Sequence, residues 1–187
     1  MEELARVTHL TRQSLKFYRE STSPAPLDVE ETLDSVLEIY AAQFEALRIT
    51  VSRRYRSTDT INSYAGEIRQ VVTTLLVNAM EATPRGGTIT VHVRQSQPRK
   101  NSKSCGVRIA IADTGTGIPK VNLSRVFEPF FTTKGQQGTG LGLWVTQGII
   151  NRLGGSIKVR SSVRPQKSGT CFSIFLPTES PDTNKQR

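Results

Sequence analysis

The sequence has few of the residues that build metal centres or disulfide frameworks. Its 187 residues include two cysteines and two histidines, none at metal-ligand spacing from another: Cys105, Cys171, His9 and His92. A pair of distant cysteines forms no disulfide framework, so we expect both to be reduced residues in strands or at strand edges. These absences exclude zinc modules and disulfide-stapled secreted domains.

Membrane and targeting signals are also missing. No apolar run approaches the ~20 residues that cross a bilayer. The chain start at Met1 has neither the basic nor the apolar segment of a signal peptide. Apolar residues make up 36% of the chain, which is enough for the core of one domain. The sequence therefore predicts a soluble chain in the cytoplasm.

Acidic residues are too few to balance the basic ones. The chain has 25 Lys and Arg against 16 Asp and Glu, a formal net charge of +9. This balance favours a polyanionic partner, such as nucleic acid, an acidic protein surface or a nucleotide triphosphate, or else reflects only a solvated basic surface. The basic residues are scattered and no base-stacking aromatics are interleaved with them, so a nucleic-acid partner is not predicted.

Hydrophobic periodicity predicts an α/β fold. Apolar residues at helical spacing predict four helices, over residues 2–20, 28–47, 64–82 and 141–153. Alternation and short apolar runs predict five strands, over 49–55, 88–94, 107–112, 156–161 and 170–176. Asp28 with Glu31 has the pattern of a capping box at a helix start. This order predicts a two-layer α/β sandwich, in which a mixed sheet lies under three helices, with a further N-terminal helix.

Composition divides the chain into segments. Residues 22–27 are rich in serine and proline and are predicted to be a linker. The polar and basic stretch 95–104 is predicted to be a mobile loop, and 178–187 a disordered tail. One domain is therefore expected over residues 28–177, preceded by the helical segment 1–21.

A polar residue interrupts the apolar stripe of the third helix. Asn78 lies between Leu76 and Met80, where a buried amide must find a partner or cost a few kcal/mol. Its carboxamide oxygen is a suitable ligand for Mg²⁺, which prefers oxygen donors and keeps phosphates in its shell. The alternative is a structural asparagine that caps a neighbouring backbone group.

An acidic residue and a glycine loop follow the strand that ends at residue 112. Asp113 opens the run Asp-Thr-Gly-Thr-Gly-Ile-Pro, and its carboxylate can accept a hydrogen bond from an exocyclic amine such as that of adenine. Gly115 and Gly117 let the backbone pass close to a flat ring. By itself this pattern is also a common turn.

Two further blocks precede the last helix. Gly138, Gly140 and Gly142 form a flexible loop that leads into a helix N-terminus, where backbone N–H groups and the helix dipole favour phosphate. The alternative is an ordinary flexible loop. Before it, Phe127, Phe130 and Phe131 either fill the core or form the hinge of a lid whose Lys134 reaches a phosphate.

With these four blocks in this order, residues 27–177 resemble the catalytic ATP-binding domain of a sensor histidine kinase. The resemblance implies the Bergerat ATPase fold, which type II topoisomerases and mismatch-repair ATPases share. Residues 2–20, with their Leu15-Lys16-Phe17-Tyr18-Arg19 ending, resemble the second helix of the dimerisation and phosphotransfer hairpin of such kinases. The ATP-binding residues so implied are Asn78, Asp113, Gly115, Gly117, Ile118, Phe130, Thr133, Lys134, Gly138, Thr139, Gly140, Leu141, Gly142 and Thr170.

The resemblance also implies ATP and Mg²⁺ as cofactors, with Asn78 as the metal ligand. It implies a histidine-bearing hairpin and a response regulator as partners, and a homodimer in the full-length protein, whose cytosolic part this chain would be. Glu81, one turn beyond Asn78, is expected to contact ribose or a metal-bound water, or else to be a solvated surface residue.

Two departures from the family pattern limit these expectations. Position 74, one turn before Asn78, is Thr74 where the kinases have an asparagine and the topoisomerase-type ATPases a glutamate base, so water activation is not predicted. The family's acceptor is a histidine that is followed by an acid and lies a few residues before a proline, and neither His9 nor His92 has these neighbours. The expected activity is therefore transfer of the ATP γ-phosphoryl group to a histidine on another helix.

Two rival functions use the same residues. A nucleotide-binding regulatory scaffold needs the pocket but performs no phosphotransfer. An ATP-driven DNA clamp fits the net charge of +9, but it requires a catalytic glutamate and a transducer domain that the sequence does not show.

Overall fold

The computed structural model of the protein describes residues 23–56, 60–96, 105–135 and 138–179. Within these ranges the strands are β1 (Ala25–Asp28), β2 (Thr50–Arg56), β3 (Thr60–Ser63), β4 (Thr88–Ser96), β5 (Gly106–Asp113), β6 (Ser156–Ser162) and β7 (Gly169–Pro177). The helices there are α1 (Val29–Ile39), α2 (Ala41–Ala46), α3 (Ala65–Ala82), α4 (Lys120–Leu123) and α5 (Gly142–Arg152). The predicted helix 2–20, and with it the expected hairpin segment 1–21, lies outside the described residues.

Five strands form one mixed sheet in the order β2-β4-β5-β7-β6. β2 and β4 run parallel, whereas the pairs β4–β5, β5–β7 and β6–β7 are antiparallel. Helices α1, α3 and α5 cover one face of the sheet. The predicted two-layer α/β sandwich, with a mixed sheet under three helices, is therefore confirmed.

The core lies between the sheet and the three helices. In β4 the alternate residues Ile89, Val91 and Val93 are buried, and the residues between them point to the other face. Each fully buried aliphatic side chain stabilises the fold by about 1.5–3 kcal/mol. The largest fully buried side chains are Leu33, Leu37, Ile61, Ile68, Leu75, Leu76, Ile89, Ile109, Ile111, Ile150, Leu153 and Ile174. No described helix covers the opposite face of the sheet, which is polar.

The linker predicted over 22–27 contains a strand. Residues Ala25–Asp28 form β1 and pair antiparallel with Thr60–Ser63 in a separate two-stranded sheet. The serine and proline content concealed this strand, because Pro26 lacks an N–H donor and is tolerated only at a sheet edge. Neither four-residue strand is long enough to show an alternation in the sequence.

The helix predicted over 28–47 is divided in two at Tyr40. Its start is confirmed, because Asp28 Oδ1 accepts the backbone N–H of Glu30 at 2.8 Å and of Glu31 at 3.1 Å. Tyr40 has φ −99° and ψ 5°, which ends α1 and starts the short helix α2. The hydrophobic spacing continues across this break, so periodicity alone did not reveal it.

The predicted tail starts two residues too early. The Thr178 N–H donates to the Cys105 carbonyl at 3.0 Å, and the Thr178 carbonyl accepts the Asn62 N–H at 2.7 Å. Glu179 forms an isolated bridge with Asn62. These are backbone contacts between distant segments, which leave no pattern in the side chains. Residues 180–187 lie outside the described ranges. Among the described helices, none is both long and apolar enough to cross a bilayer.

Candidate functional site

A lysine ammonium bridges two oxygen donors on α3. Asn78 and Glu81 lie three residues apart and therefore on one side of the helix. Lys134, from the loop that leads toward α5, donates from Nζ to Asn78 Oδ1 at 3.0 Å. The same ammonium forms an ion pair with Glu81 Oε2. The two oxygens thus hold the positive charge of Lys134 between them.

Asn78 is half-buried rather than buried as the sequence predicted. Its neighbours Leu75, Leu76, Ala79 and Met80 are buried, so position 78 lies at the edge of the apolar stripe. The hydrogen bond from Lys134 satisfies its carboxamide oxygen with a residue 56 positions away. Asn78 therefore faces the loop before α5, and its oxygen is available to a ligand that displaces the lysine.

Thr74 links α3 to the start of α5. Its hydroxyl donates to the Gln70 carbonyl at 3.0 Å, one turn back in the same helix. A Cβ atom added at Gly142 would lie 3.1 Å from Thr74 Cγ2. The methyl group of Thr74 therefore packs against the first residue of α5, which places this helix N-terminus one turn from Asn78.

Asp113 is the last residue of β5. It follows Ile109 and Ile111 at alternate positions, so its side chain lies on the side of the sheet that the helices cover. Its Oδ1 accepts the backbone N–H of Gly115 at 2.8 Å and of Thr170 at 3.1 Å. No described residue donates to its other oxygen, Oδ2. Burial raises the pKa of this carboxyl above its ordinary value of 3.8, and the two amide hydrogen bonds partly oppose that rise. Asp113 is thus a fixed carboxylate with one oxygen left for a ligand.

The glycines after Asp113 are required by close backbone contacts. A Cβ atom at Gly115 would lie 2.5 Å from the Ala82 carbonyl oxygen at the end of α3. One at Gly117, whose φ is +76°, would lie 2.0 Å from the Ser162 carbonyl oxygen. The loop therefore passes tightly between the end of α3 and the end of β6. This contact holds it against Asp113.

Ser161 is a site residue that the sequence reasoning missed. Its Oγ accepts the Ile118 N–H at 2.7 Å and donates to the Gly169 carbonyl at 2.7 Å. The Ser161 Oγ also lies 2.9 Å from Oγ1 of Thr170, and the Thr170 side chain is buried. The sequence carried one sign of it. Ser161 lies in β6 at the alternate position that follows Ile157 and Val159, and it is polar where those two residues are apolar.

The last glycine loop stacks on the segment before it. A Cβ atom at Gly140, whose φ is +66°, would lie 2.4 Å from the Phe130 carbonyl carbon. One at Gly138 would lie 2.2 Å from Thr132 Oγ1. Gly142 begins α5, and in the described part of the chain no side chain caps this helix start. Its first backbone N–H groups are thus available to an anion.

Three further residues that were predicted to bind ATP, Thr133, Thr139 and Leu141, lie in or before the last glycine loop. The Leu141 N–H donates to Thr139 Oγ1 at 3.4 Å, within the glycine loop. Thr133 is exposed, next to Lys134. Gln136 and Gln137, between Lys134 and the loop, lie outside the described residues.

The phenylalanine block does not form the single cluster that a lid hinge would need. Phe127 packs edge-to-face against Phe172 of the core, with ring centroids 6.4 Å apart. Phe131 lies under the Arg125 guanidinium at 4.4 Å, whereas Phe130 is 75% exposed with φ +64°. The core-filling interpretation therefore holds for Phe127, and Phe130 is the aromatic ring left at the surface.

Two cavities of the protein lie away from this arrangement. One, of about 290 Å³, is lined by Leu37, Phe44 and Ile49 beside β2. The other, of about 360 Å³, touches Asp113 but otherwise lies along the ends of β6 and β7. Neither is lined by Asn78 or the last glycine loop. The site is defined instead by the contacts of Lys134, Asp113 and the two glycine loops.

Comparison with known proteins gives a family for this arrangement. Residues 64–180 match the family described as "Histidine kinase-, DNA gyrase B-, and HSP90-like ATPase". The sensor kinase CckA of Brucella abortus is 38% identical over 183 residues, which are 92% of this chain and 19% of that protein. Sporulation kinase A of Bacillus subtilis is 34% identical over 152 residues, 81% of this chain and 23% of that protein. The chain thus spans a third or less of these curated relatives.

Solved structures agree with this match. The mycobacterial sensor histidine kinase MprB superposes with a TM-score of 0.71 and 26% identity, over 84% of this chain and 99% of that one. The catalytic domain of histidine kinase ThkA gives 0.72 and 26%, with the same coverage. The family match covers α3, β5, both glycine loops and α5, the elements that carry the site. The chain belongs to the family of histidine kinase-, DNA gyrase B- and HSP90-like ATPases.

Proposed function

We propose that this chain is the ATP-binding catalytic domain of a two-component sensor histidine kinase. It transfers the γ-phosphoryl group of ATP to a histidine other than His9 and His92, on a hairpin helix supplied by the dimerisation region. The observation that carries the proposal is the Lys134 ammonium between Asn78 and Glu81 on α3, the helix whose Thr74 packs against Gly142 at the start of α5. The kinase names of the relatives support the same reading.

Asp113 is proposed to select adenine. Its Oδ1 is held by two backbone amides, so Oδ2 is the oxygen that can accept from the exocyclic amine of the base. The tight loop of Gly115, Gly117 and Ile118 borders the same space. Ser161 acts as a positioning residue, because its hydroxyl ties Ile118 to the strand pair β6–β7.

Asn78 and Glu81 fit a magnesium site. One carboxamide oxygen and one carboxylate oxygen already share a positive charge, and Mg²⁺ is bound in proteins by one or two such oxygens together with substrate phosphates. The metal would neutralise phosphate charge. When the metal replaces its ammonium at the two oxygens, Lys134 would pair with the phosphate tail. Its side chain starts in the loop that leads to α5, where the phosphates are proposed to lie.

The phosphates are proposed to lie at the start of α5. Uncapped backbone N–H groups and the helix dipole favour an anion there. Thr133, Thr139 and Leu141 border this position, and Phe130 is exposed beside it. Positioning and charge neutralisation supply most of the catalysis in phosphoryl transfer, so these groups are sufficient without a general base. Thr74 has no carboxylate with which to activate water.

The proposed partners follow from the activity. Phosphoryl transfer needs a histidine-bearing hairpin, which would dimerise in the full-length protein, and a response regulator would take the group onward. ATP supply places this activity in the cytoplasm. The regulatory scaffold stays the alternative, because it needs the same pocket but leaves the phosphoryl group on ATP.

The test is a transfer experiment with two components. The chain is mixed with ATP labelled in the γ-phosphoryl group, Mg²⁺ and a purified hairpin with the acceptor pattern of histidine, acid and proline. A hairpin with glutamine for that histidine is the control. We expect acid-labile label on the first hairpin and none on the second. Nucleotide binding without any transfer would support the scaffold and contradict the kinase.

A further inference from the structure

The side of the sheet away from the helices is strongly basic. The strand registers place Arg54, His92 and Lys158 in one row across the sheet, through Ala110 and Ser173. Neighbouring rows add further arginines on the same side. We call this surface the basic face, and its charged members and histidine are Arg54, Arg56, His92, Arg94, Arg108, Lys158 and Arg160.

The five strands carry no carboxylate on this face. The residues in the same phase of the five strands include no Asp or Glu. Among the described residues, no acid forms an ion pair with Arg54, Arg56, Arg94, Lys158 or Arg160. The positive charge also acts on His92. Desolvation, and after it the charges of Arg54, Arg56 and Arg94, lower the pKa of His92 below its ordinary value of 6.5. The five strands thus concentrate positive charge on the basic face.

The basic face is a trough rather than a plane. Two rows of its floor on β5 and β7 have short side chains, Ala110, Ala112, Cys171 and Ser173, and the row at one end has Arg108 and Phe175. Arg108 Nη1 donates to Ser173 Oγ at 3.4 Å. The walls of the trough are the long side chains of β2 and β4 on one side and of β6 on the other. The walls stand three strand spacings apart, about 14 Å.

Both ends of the trough have distinct features. At one end the Arg108 guanidinium lies over the Phe175 ring at 5.7 Å. At the other end lies the shallow pocket of about 360 Å³, which is lined by Arg160 and Lys167 and also by Asp113. Cations therefore border the trough along its sides and at both ends, with the Asp113 carboxyl beside them at the pocket.

We propose that the basic face is a docking surface for an acidic helix of a partner protein. An α-helix with side chains is about 10–12 Å wide, which fits between walls about 14 Å apart. Acidic residues on both flanks of such a helix would meet Arg94 on one wall and Lys158 on the other. Short floor residues let the helix backbone approach the sheet.

The shape and chemistry disfavour other polyanions. A flat lipid surface would touch only the walls and leave the floor of Ala110 and Ser173 uncontacted. A single nucleic-acid strand is bound largely by stacking on aromatic rings, and Phe175, the phenylalanine on this face of the five strands, lies under the Arg108 guanidinium. A helix that contacts Arg94 and Lys158 lies over the rows of Arg108 and Ala110, whereas the pocket that Asp113 lines begins at the next row, that of Ala112. Asn78 lies on α3, on the other side of the sheet. Nucleotide binding and docking are therefore separable.

The test measures binding of a labelled peptide by fluorescence anisotropy. The probe is a capped helical peptide of about five turns with glutamates three and four residues apart on both flanks. The variants are Arg94→Glu with Lys158→Glu, which reverse one charge on each wall. The matched control is Arg48→Glu with Arg85→Glu, which makes the same change in net charge in the turns before β2 and β4. Thermal melting and ATP binding are measured on each, and Arg94→Gln with Lys158→Gln serves if the reversed pair is unstable.

We expect the wall variant to lose at least tenfold in affinity for the peptide and the control to lose less than threefold, with ATP binding unchanged in both. Affinity should also fall as salt rises, because exposed charges are screened. No binding of the peptide, or equal losses in both variants, would overturn the proposal. So would tighter binding of an oligothymidylate or of phosphatidylserine vesicles at matched anionic charge.

Discussion

Replacing Asp113 with asparagine should change base selectivity rather than simply weaken the site. In the native chain Oδ1 accepts from Gly115 and Thr170, so the free oxygen Oδ2 faces the ligand as an acceptor. An asparagine must keep its single oxygen on the same two amides. Its NH₂ group then occupies the Oδ2 position and presents a donor to the base.

The magnitude follows from the hydrogen bond that is lost. A bond to a charged acceptor is worth about 1.5–3 kcal/mol, and the variant sets a donor against the adenine amine. ATP affinity should therefore fall by roughly 10- to 150-fold. GTP carries a carbonyl at this position of the base, so its affinity should stay level or rise. The ratio of the two affinities should move toward GTP by at least tenfold.

Isothermal titration calorimetry of both nucleotides with Mg²⁺ measures this ratio directly. The matched control is Glu45→Gln, which neutralises an exposed carboxylate on α2, remote from the site. It should leave both affinities unchanged. Equal weakening for ATP and GTP in Asp113→Asn, or a native chain that binds both equally, would refute adenine selection by Asp113.

Three further predictions test other parts of the site. Asn78→Ala should weaken Mg²⁺–ATP binding far more than metal-free ATP binding in calorimetry, and equal weakening would make Asn78 a structural residue. Because burial raises the pKa of Asp113, ATP affinity should decline with falling pH before an ordinary aspartate protonates, and titrations of Asp113→Asn should lack this step. Gly117 has a positive φ, and a Cβ added there would lie 2.0 Å from the Ser162 carbonyl oxygen. Gly117→Ala should therefore lower the free energy of unfolding by at least about 2 kcal/mol more than Gly86→Ala, whose φ is also positive but whose added Cβ meets nothing within 4 Å. Chemical denaturation measures both free energies of unfolding, and equal values for the two variants would contradict the close packing of the loop.

The regular elements of the fold could be predicted because their side chains carry the pattern. β4 and β5 alternate or run apolar, and α3 keeps its buried residues on one side over 18 residues. β1 and β3 were missed because four residues give no period. The break at Tyr40 was missed because the apolar spacing continues through it. In both cases contacts between distant segments decide the structure.

The site was predictable as a set of residues but not as an arrangement. Asp113, Gly115 and Thr170 were all singled out, and the structure joins them by two hydrogen bonds to one oxygen. The bridge from Lys134 to Glu81 spans 53 positions and has no local signal. Ser161 was missed for the same reason. The roles of these residues in nucleotide binding stay predictions.

The basic face shows what net charge conceals. A formal charge of +9 on scattered residues left a polyanionic partner and a merely solvated surface as alternatives. Strand register places Arg54, Arg94 and Lys158 on one side of the sheet, although they are far apart in sequence. No composition or spacing rule gives that register, because it depends on which strands pair.

Hydrogen–deuterium exchange with and without a non-hydrolysable ATP analogue and Mg²⁺ tests the position of the nucleotide most directly. The proposed site predicts new protection in the loop after Asp113, in the glycine loop up to Gly142 and at the start of α5. It predicts no change in the first half of β6 around Lys158, which lines the basic face away from Ser161. Protection confined to β6 and its neighbours on that face, or no protection anywhere at saturating nucleotide, would contradict the site.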